Sequence, residues 1–289
     1  MKRVSRSQRV SAYSEKNPPA LSVGLGETFI METNDRFQGY TSPDDAPLDL
    51  LMSMTGPVYV GGIEPGETLS VEVLDITPSM GYGWIVATPG RAMLKNRVDE
   101  WRRRKVPIEG DRVLFNNRIT LPYAPMIGRM GVAPAGEPKA CNSVGRFGGA
   151  MSNIAISPGA TVYLPVFVDG ALLTIEDVHA AMGDGESASS AVEMGSEVTL
   201  RCDVSTKLQV ERPVVITRDE VMTTGEGETM EAASYMAVDA MASLLMYHLE
   251  LDAVDAAMLI SSAVDTRFSY VGGPPYRAKA VVSRTVARL

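Results

Sequence analysis

The chain has 289 residues, 45% of them hydrophobic, with 35 acidic and 27 basic side chains and a formal net charge of −8. That length is enough for a large buried core, the composition excludes a disordered chain, and the acidic balance excludes a nucleic-acid binder, which needs a basic footprint against phosphates. Nowhere does an apolar run reach the roughly 18 residues of a membrane helix, and MKRVSRSQRVSAYSEKNPP at the start lacks the apolar stretch of a secretion signal.

Taken in chain order, GETFIMETND (26–35) is a turn leading into an alternating strand, and the same construction returns 40 residues later as GETLSVEVLDI (66–76). Its looser versions are SPGATVYLPVFV (157–168) and MGSEVTLRCDV (194–204). Two clear copies are too few for a stacked repeat array, so the units are read as parts of a sandwich or barrel-like β body.

Between them, RAMLKNRVDEWRRR (91–104) places Met93, Leu94, Val98 and Trp101 at helical spacing and is expected to be helical. Its cluster Arg102, Arg103, Arg104 and Lys105 lies beside Asp99 and Glu100 and reads as a solvated face or subunit contact. Cys141 and Cys202 are too few for a disulfide framework or a four-thiolate metal site, which suits a reducing cytoplasm.

From about Glu228 the composition shifts to Ala, Met and Leu. ETMEAASYMAVDAMASLLMYHLEL predicts a long helix burying Met230, Ala233, Ala237, Met241, Leu244 and Leu245. A second helix is expected over 252–265 and a closing strand over 277–289. The fold class is therefore α+β and β-rich, with a β-rich body over 1–205 and an α+β C-terminal part with two helices over 206–289.

Three segments carry candidate chemistry. DVHAAMGDGES (177–187) follows an apolar run and is expected to leave it as a loop, setting His179 beside Asp184 and Glu186. Such a group suits metal ligation, acid/base work, or simply a hydrogen-bonded loop. ETNDRF (32–37) ends a strand with Asp35, which could face the first group and raise a carboxyl pKa, or be an ordinary turn. CNSVGRFGGAMSN (141–153) is Gly-rich, and Gly148 and Gly149 could offer backbone N–H donors to an oxyanion. It has neither the lysine nor the spacing of a phosphate loop, and the chain has no GxSxG nucleophile turn.

Together and in this order, these segments resemble the acetamidase/formamidase family. The resemblance also rests on TGPVYVGGIEPGETLSVEVLDI (55–76), GRMGVAPAGE (128–137), GATVYLPVFVDGALLTIEDVHAAMGDGE (159–186) and ERPVVITRDE (211–220), and covers about 14–271. It implies a β-rich homo-oligomer that hydrolyses the C–N bond of small amides, associated in several members with a divalent metal such as zinc.

Against the family's pattern, Asp35, Asp177, His179, Asp184 and Glu186 are kept. An HGGNMD-like stretch has become FGGAMSN, with Phe147, Ala150 and Ser152 at its His, Asn and Asp positions. Met182 and Tyr40 each stand where the family usually has Gln. The resemblance thus assigns acid/base roles to Glu186, Asp184, His179 and Asp35. A substrate wall falls to Phe147, Gly148, Gly149, Met151, Ser152, Met182 and Tyr40. Losing polar groups from that wall counts against a catalytic metal, whose identity stays open. Three readings follow: an amidohydrolase of a small linear or cyclic amide, a metal-free lyase, cyclase or isomerase in specialised metabolism, or a non-catalytic binding protein.

Overall fold

The structure, a computed structural model, describes residues 1–37, 51–188 and 190–289. Among these, nearly all strands belong to two large open sheets of nine and twelve strands, with no closed barrel. The two look-alike units lie on either edge of one strand: Thr28–Thr33 and Thr68–Pro78 both pair antiparallel with Ser196–Val204. Their alternation does the sorting, because Phe29, Met31, Leu69, Val71, Val73, Val198 and Leu200 are fully buried while the residues between them face outward.

The second sheet is centred on Leu173–Ala181, paired with Met126–Gly131, Met54–Gly61 and Val192–Glu193. Burial on both faces explains its nearly continuous apolar flanks. Apolar side chains from both sheets form one core, as expected when inner faces pack on each other.

A second apolar cluster sits at the C-terminal end. Met230–Leu249 lies on Glu220–Gly227 and Tyr276–Ser283, burying Ala233, Ala237, Met241, Leu244 and Leu245, five of the six residues expected, while Met230 is half-buried. Thr229 caps its N-terminus by accepting from the Ala232 N–H. The approach is close because position 225 is glycine: a Cβ there would stand 2.3 Å from the Ala233 carbonyl oxygen. The second helix is Ala253–Ala263, capped by Asp252. The nine-stranded sheet runs from the β body into the C-terminal part, since Thr161–Pro165 pairs with Val214–Ile216.

Two expectations are corrected. Residues 91–101 form turns and Arg102–Glu109 is a strand, not a helix. The expected apolar stripe is not buried as one face, since Met93 and Leu94 are exposed while Val98 and Trp101 are half-buried. The cations gain more from an extended run, in which Arg103, Arg104 and Lys105 stack over Trp84, Phe115 and Tyr82 at 3.9, 4.6 and 3.6 Å. The closing strand ends at Ser283, whose hydroxyl caps a short helix, Arg284–Ala287. No helix among the described residues is long and apolar enough to cross a membrane.

Candidate active site

Asp177 and His179 sit two apart on Leu173–Ala181, so the strand's period brings both to one buried side. The segment leaves its strand only after Ala181, so these two residues are not in the expected loop. Strand pairing supplies the third member: Glu193 is the cross-strand neighbour of His179. His179 Nε2 stands 3.4 Å from Asp177 Oδ1 and 3.2 Å from Glu193 Oε2. Its other nitrogen, Nδ1, meets the Met182 sulfur at 3.3 Å.

Two guanidiniums close over Asp177. Arg36 Nη1 reaches Oδ1 at 2.5 Å and Arg129 Nε approaches Oδ2 at 3.4 Å. Burial pushes the Asp177 carboxyl up, but Arg36, Arg129 and His179 outweigh it and hold it well below its ordinary range. Burial likewise works against a charged His179, and Glu193 and Asp177 overcome it, so the imidazole is held protonated well above its usual value. Gly128 makes room for this packing, since a Cβ there would lie 2.7 Å from the Asp177 carbonyl oxygen and 3.1 Å from Oδ2.

Glu186, in the loop beyond Ala181, feels the charges of the same group. Its carboxyl is raised, first by burial and then by Asp177 and Glu193 against the opposing His179 and Arg277. It also lines a cavity of about 450 Å³ with Met182, Asp184, Ile85, Leu121 and Val192. Among the site residues, Glu186 lines this cavity and also feels the buried charges, while Met182 lines it and touches His179. Asp184 points elsewhere, pairing with Lys279 Nζ at 2.6 Å. Asp177, Ser152 and Glu186 all carry positive φ, of 67°, 47° and 41°. Strain of this kind costs about 1–3 kcal/mol per residue and persists where surrounding contacts enforce it.

Asp35 lies deep in the structure, 3% exposed, accepting from the Phe37 N–H. Burial, with Glu193 adding to it, pushes its carboxyl up to about 7. A raised acid pKa means the folded state holds a proton that the unfolded chain, at about 3.9, has already released. This group's contribution is therefore full below about pH 4, falls as pH rises to about 7, and is then flat. Asp35→Asn removes that loss, and we expect urea unfolding to give it a stability gain of about 1–3 kcal/mol at pH 8 that vanishes at pH 4.

The remaining expected positions are distributed differently. Phe147 and Met151 are core residues, Phe147 stacking on Tyr13 at 5.0 Å between ring centroids. Gly148 and Gly149 lie in a buried strand paired on both sides, with Met126–Gly131 and Val144–Gly145. Ser152 is buried and accepts from Arg277 Nη1 at 2.9 Å. None of these five lines the 450 Å³ cavity, whereas Met182 does. Tyr40 lies outside the described residues. Another cavity, of about 430 Å³ beneath Met230–Leu249, contains none of the site residues.

Sequence reasoning missed Arg36, Arg129, Glu193, Arg277 and Lys279. A signal existed for the last two: in RAKAVV two cations alternate within an otherwise apolar strand, placing both on one buried side. Glu193 had none, because only the pairing of Val192–Glu193 with the central strand brings it to His179.

A buried group of oppositely charged residues, touching through Met182 a cavity of small-molecule size that Glu186 and Asp184 line, has the character of an enzyme-like acid/base site in a two-sheet fold. The Acetamidase/Formamidase family pattern matches residues 5–145 and 143–269. The chain belongs to this family. An acetamidase from Bacillus halodurans superposes with a TM-score of 0.94 at 36% identity, over 98% of this chain and 97% of that one. A formamidase-like protein of Schizosaccharomyces pombe is 27% identical over 65% of this chain and 62% of its own length, and an acetamidase of Mycolicibacterium smegmatis is 24% identical over 69% and 68%. The chain thus spans less than two thirds of the first of these curated relatives.

Proposed function

We propose that this protein hydrolyses the C–N bond of a small amide in the cavity that ends at Glu186. The observation carrying this reading is the double position of Glu186, which lines the cavity while the charges of the buried Asp177, His179 and Glu193 act on its raised carboxyl. Family membership supports amide hydrolysis as the reaction class.

Hydrolysis needs a group that takes a proton from water and later gives one to the departing nitrogen. A carboxyl with an elevated pKa serves both steps, since it is a stronger base than an ordinary carboxylate and an available acid afterwards. Glu186 is assigned that work. His179, held protonated and fixed between two carboxylates, supplies positive charge near the carbonyl oxygen as it becomes negative. Asp35 and Asp184 are assigned supporting roles, Asp35 as a buried proton reservoir and Asp184 as the anchor of the loop that carries Glu186.

The donor set also fits a divalent ion. Zinc with ligands at about 2.0–2.1 Å in a tetrahedron sets neighbouring ligand atoms about 3.3 Å apart. The 3.4 and 3.2 Å separations from His179 Nε2 match that edge, and Glu193 Oε2 is buried without a hydrogen-bond donor of good geometry. Asp177, His179 and Glu193 would hold such an ion once His179 gave up its Nε2 proton, since only a neutral imidazole coordinates a metal, with Arg36 competing for Asp177 Oδ1. When bound, it would polarise an amide carbonyl and acidify water.

Purified protein is expected to release ammonia from formamide or acetamide, read by an ammonia assay alongside metal analysis. Absence of ammonia from every small amide offered, linear or cyclic, with or without added zinc, overturns the reading.

A further inference from the structure

The cavity of about 450 Å³ is larger than the smallest amides need, and most of its wall is apolar. At roughly 30 Å³ per heavy atom, the volume of one water molecule, acetamide would fill about a quarter of it. The apolar wall comes from four strands. Ile85 belongs to Tyr82–Ala87, Leu121 and Pro122 to Thr120–Pro122, Ala181 to the end of Leu173–Ala181 and Val192 to Val192–Glu193.

Strand register joins this wall to the buried charges. His179 is paired with Glu193 and Ala181 with Val192, so two steps along one strand meet one step along its neighbour, which is a bulge. The apolar pair Ala181–Val192 therefore stands directly beside the charged pair His179–Glu193. Glu193 is in turn opposite Trp84, and the antiparallel register sets Ile85 level with Val192. The segment bearing Leu121 and Pro122 is tied alongside, because the Ala124 N–H donates to the Ala180 carbonyl at 3.0 Å. Met182 touches both parts, lining the cavity with its sulfur 3.3 Å from His179 Nδ1.

Part of the polar lining is committed to the protein itself. Asp184 is held by Lys279 at 2.6 Å, and the Ser190 hydroxyl accepts from the Val86 N–H at 2.9 Å. Ile85, Leu121 and Ala181 are only half-buried, which leaves apolar surface for a ligand to cover.

We propose that this wall receives the acyl chain of the substrate, so that the preferred substrate is the primary amide of a medium-length aliphatic acid, such as hexanamide. Ile85 and Leu121 are then the residues that set chain-length preference. This deepens, and rests on, the amide-hydrolase reading of the same cavity. The bond broken is still the amide C–N bond, with water supplying the hydroxyl to the acyl carbon and a proton to the departing ammonia.

The test measures ammonia release from acetamide, butyramide and hexanamide. Each methylene taken fully out of water is worth about fourfold in kcat/KM, so wild-type protein is expected to favour hexanamide over acetamide by at least about tenfold. Leu121→Asn keeps the side chain's size and removes its apolar character, and Ile85→Thr keeps the branched shape that suits a strand. The double variant is expected to reduce the hexanamide-to-acetamide ratio at least about tenfold, and each single variant about threefold. Circular dichroism checks folding, and the single variants carry the test if the double variant does not fold. Acetamide used as well as hexanamide, or a hexanamide preference unchanged in the folded variants, overturns the proposal and leaves the hydrolase reading standing. If no amide releases ammonia, hexanamide binding is read by calorimetry: binding weakened in the variants upholds the apolar site and overturns the hydrolase reading, and no binding overturns both.

Discussion

Glu186→Gln is expected to lower kcat for amide hydrolysis by about 100- to 10,000-fold, the span associated with loss of a positioned proton-transfer group. The substitution keeps the side chain's length and one oxygen, so the cavity wall and the loop should survive and KM should change little. What disappears is the ability to take and return a proton. The proposed chemistry uses a carboxyl whose pKa is lifted by burial and by Asp177 and Glu193, and an amide has no such state. The acidic limb of the wild-type kcat/KM profile, set by ionisation of Glu186, should be missing from the variant's residual activity. A variant that retained full kcat with an unchanged pH profile would remove Glu186 from the reaction.

The second large effect is on stability. His179→Ala is expected to cost about 3–5 kcal/mol, the range for breaking a buried ion pair from one side. Asp177 would keep Arg36 and Arg129, but Glu193, 2% exposed, would lose the cation 3.2 Å from its Oε2. The penalty therefore falls on the survivor rather than on the lost contact. Adding Glu193→Gln should recover much of the loss, and a urea-unfolding double-mutant cycle would measure the coupling. The same His179→Ala protein should also fail to retain a divalent ion on dialysis. Additive losses in the cycle would show that the two side chains are not paired in solution.

Local pattern was enough for much of the fold. Alternation marked Thr28–Thr33 and Thr68–Pro78, and an unbroken run of helix formers marked Met230–Leu249. It misled at 91–104, where the helical spacing of Met93, Leu94, Val98 and Trp101 leaves Met93 and Leu94 exposed and cation–aromatic stacking favoured a strand. In the site, His179 and Glu186 stood out because a histidine and acids near glycines are visible in one short stretch. Glu193, Arg36 and Arg129 did not, because their approach depends on strand register and on chain crossings that a linear pattern does not encode. FGGAMSN was read as a cavity wall, yet Phe147 and Met151 went to the core, where their apolar surface is worth more than at a wetted face.

The tie between Lys279 and Asp184 also bears on how the protein is made. The acidic loop is translated well before its anchor, and the strand bearing Lys279 leaves the ribosome long after the loop has done so. Synthesis at roughly 5–20 residues per second leaves that loop unmoored for several seconds while the β core can already gather. A nascent chain halted before position 279 would thus have most of the described strands and none of the clasp that holds Asp184, so the arrival of Lys279 is what sets the loop.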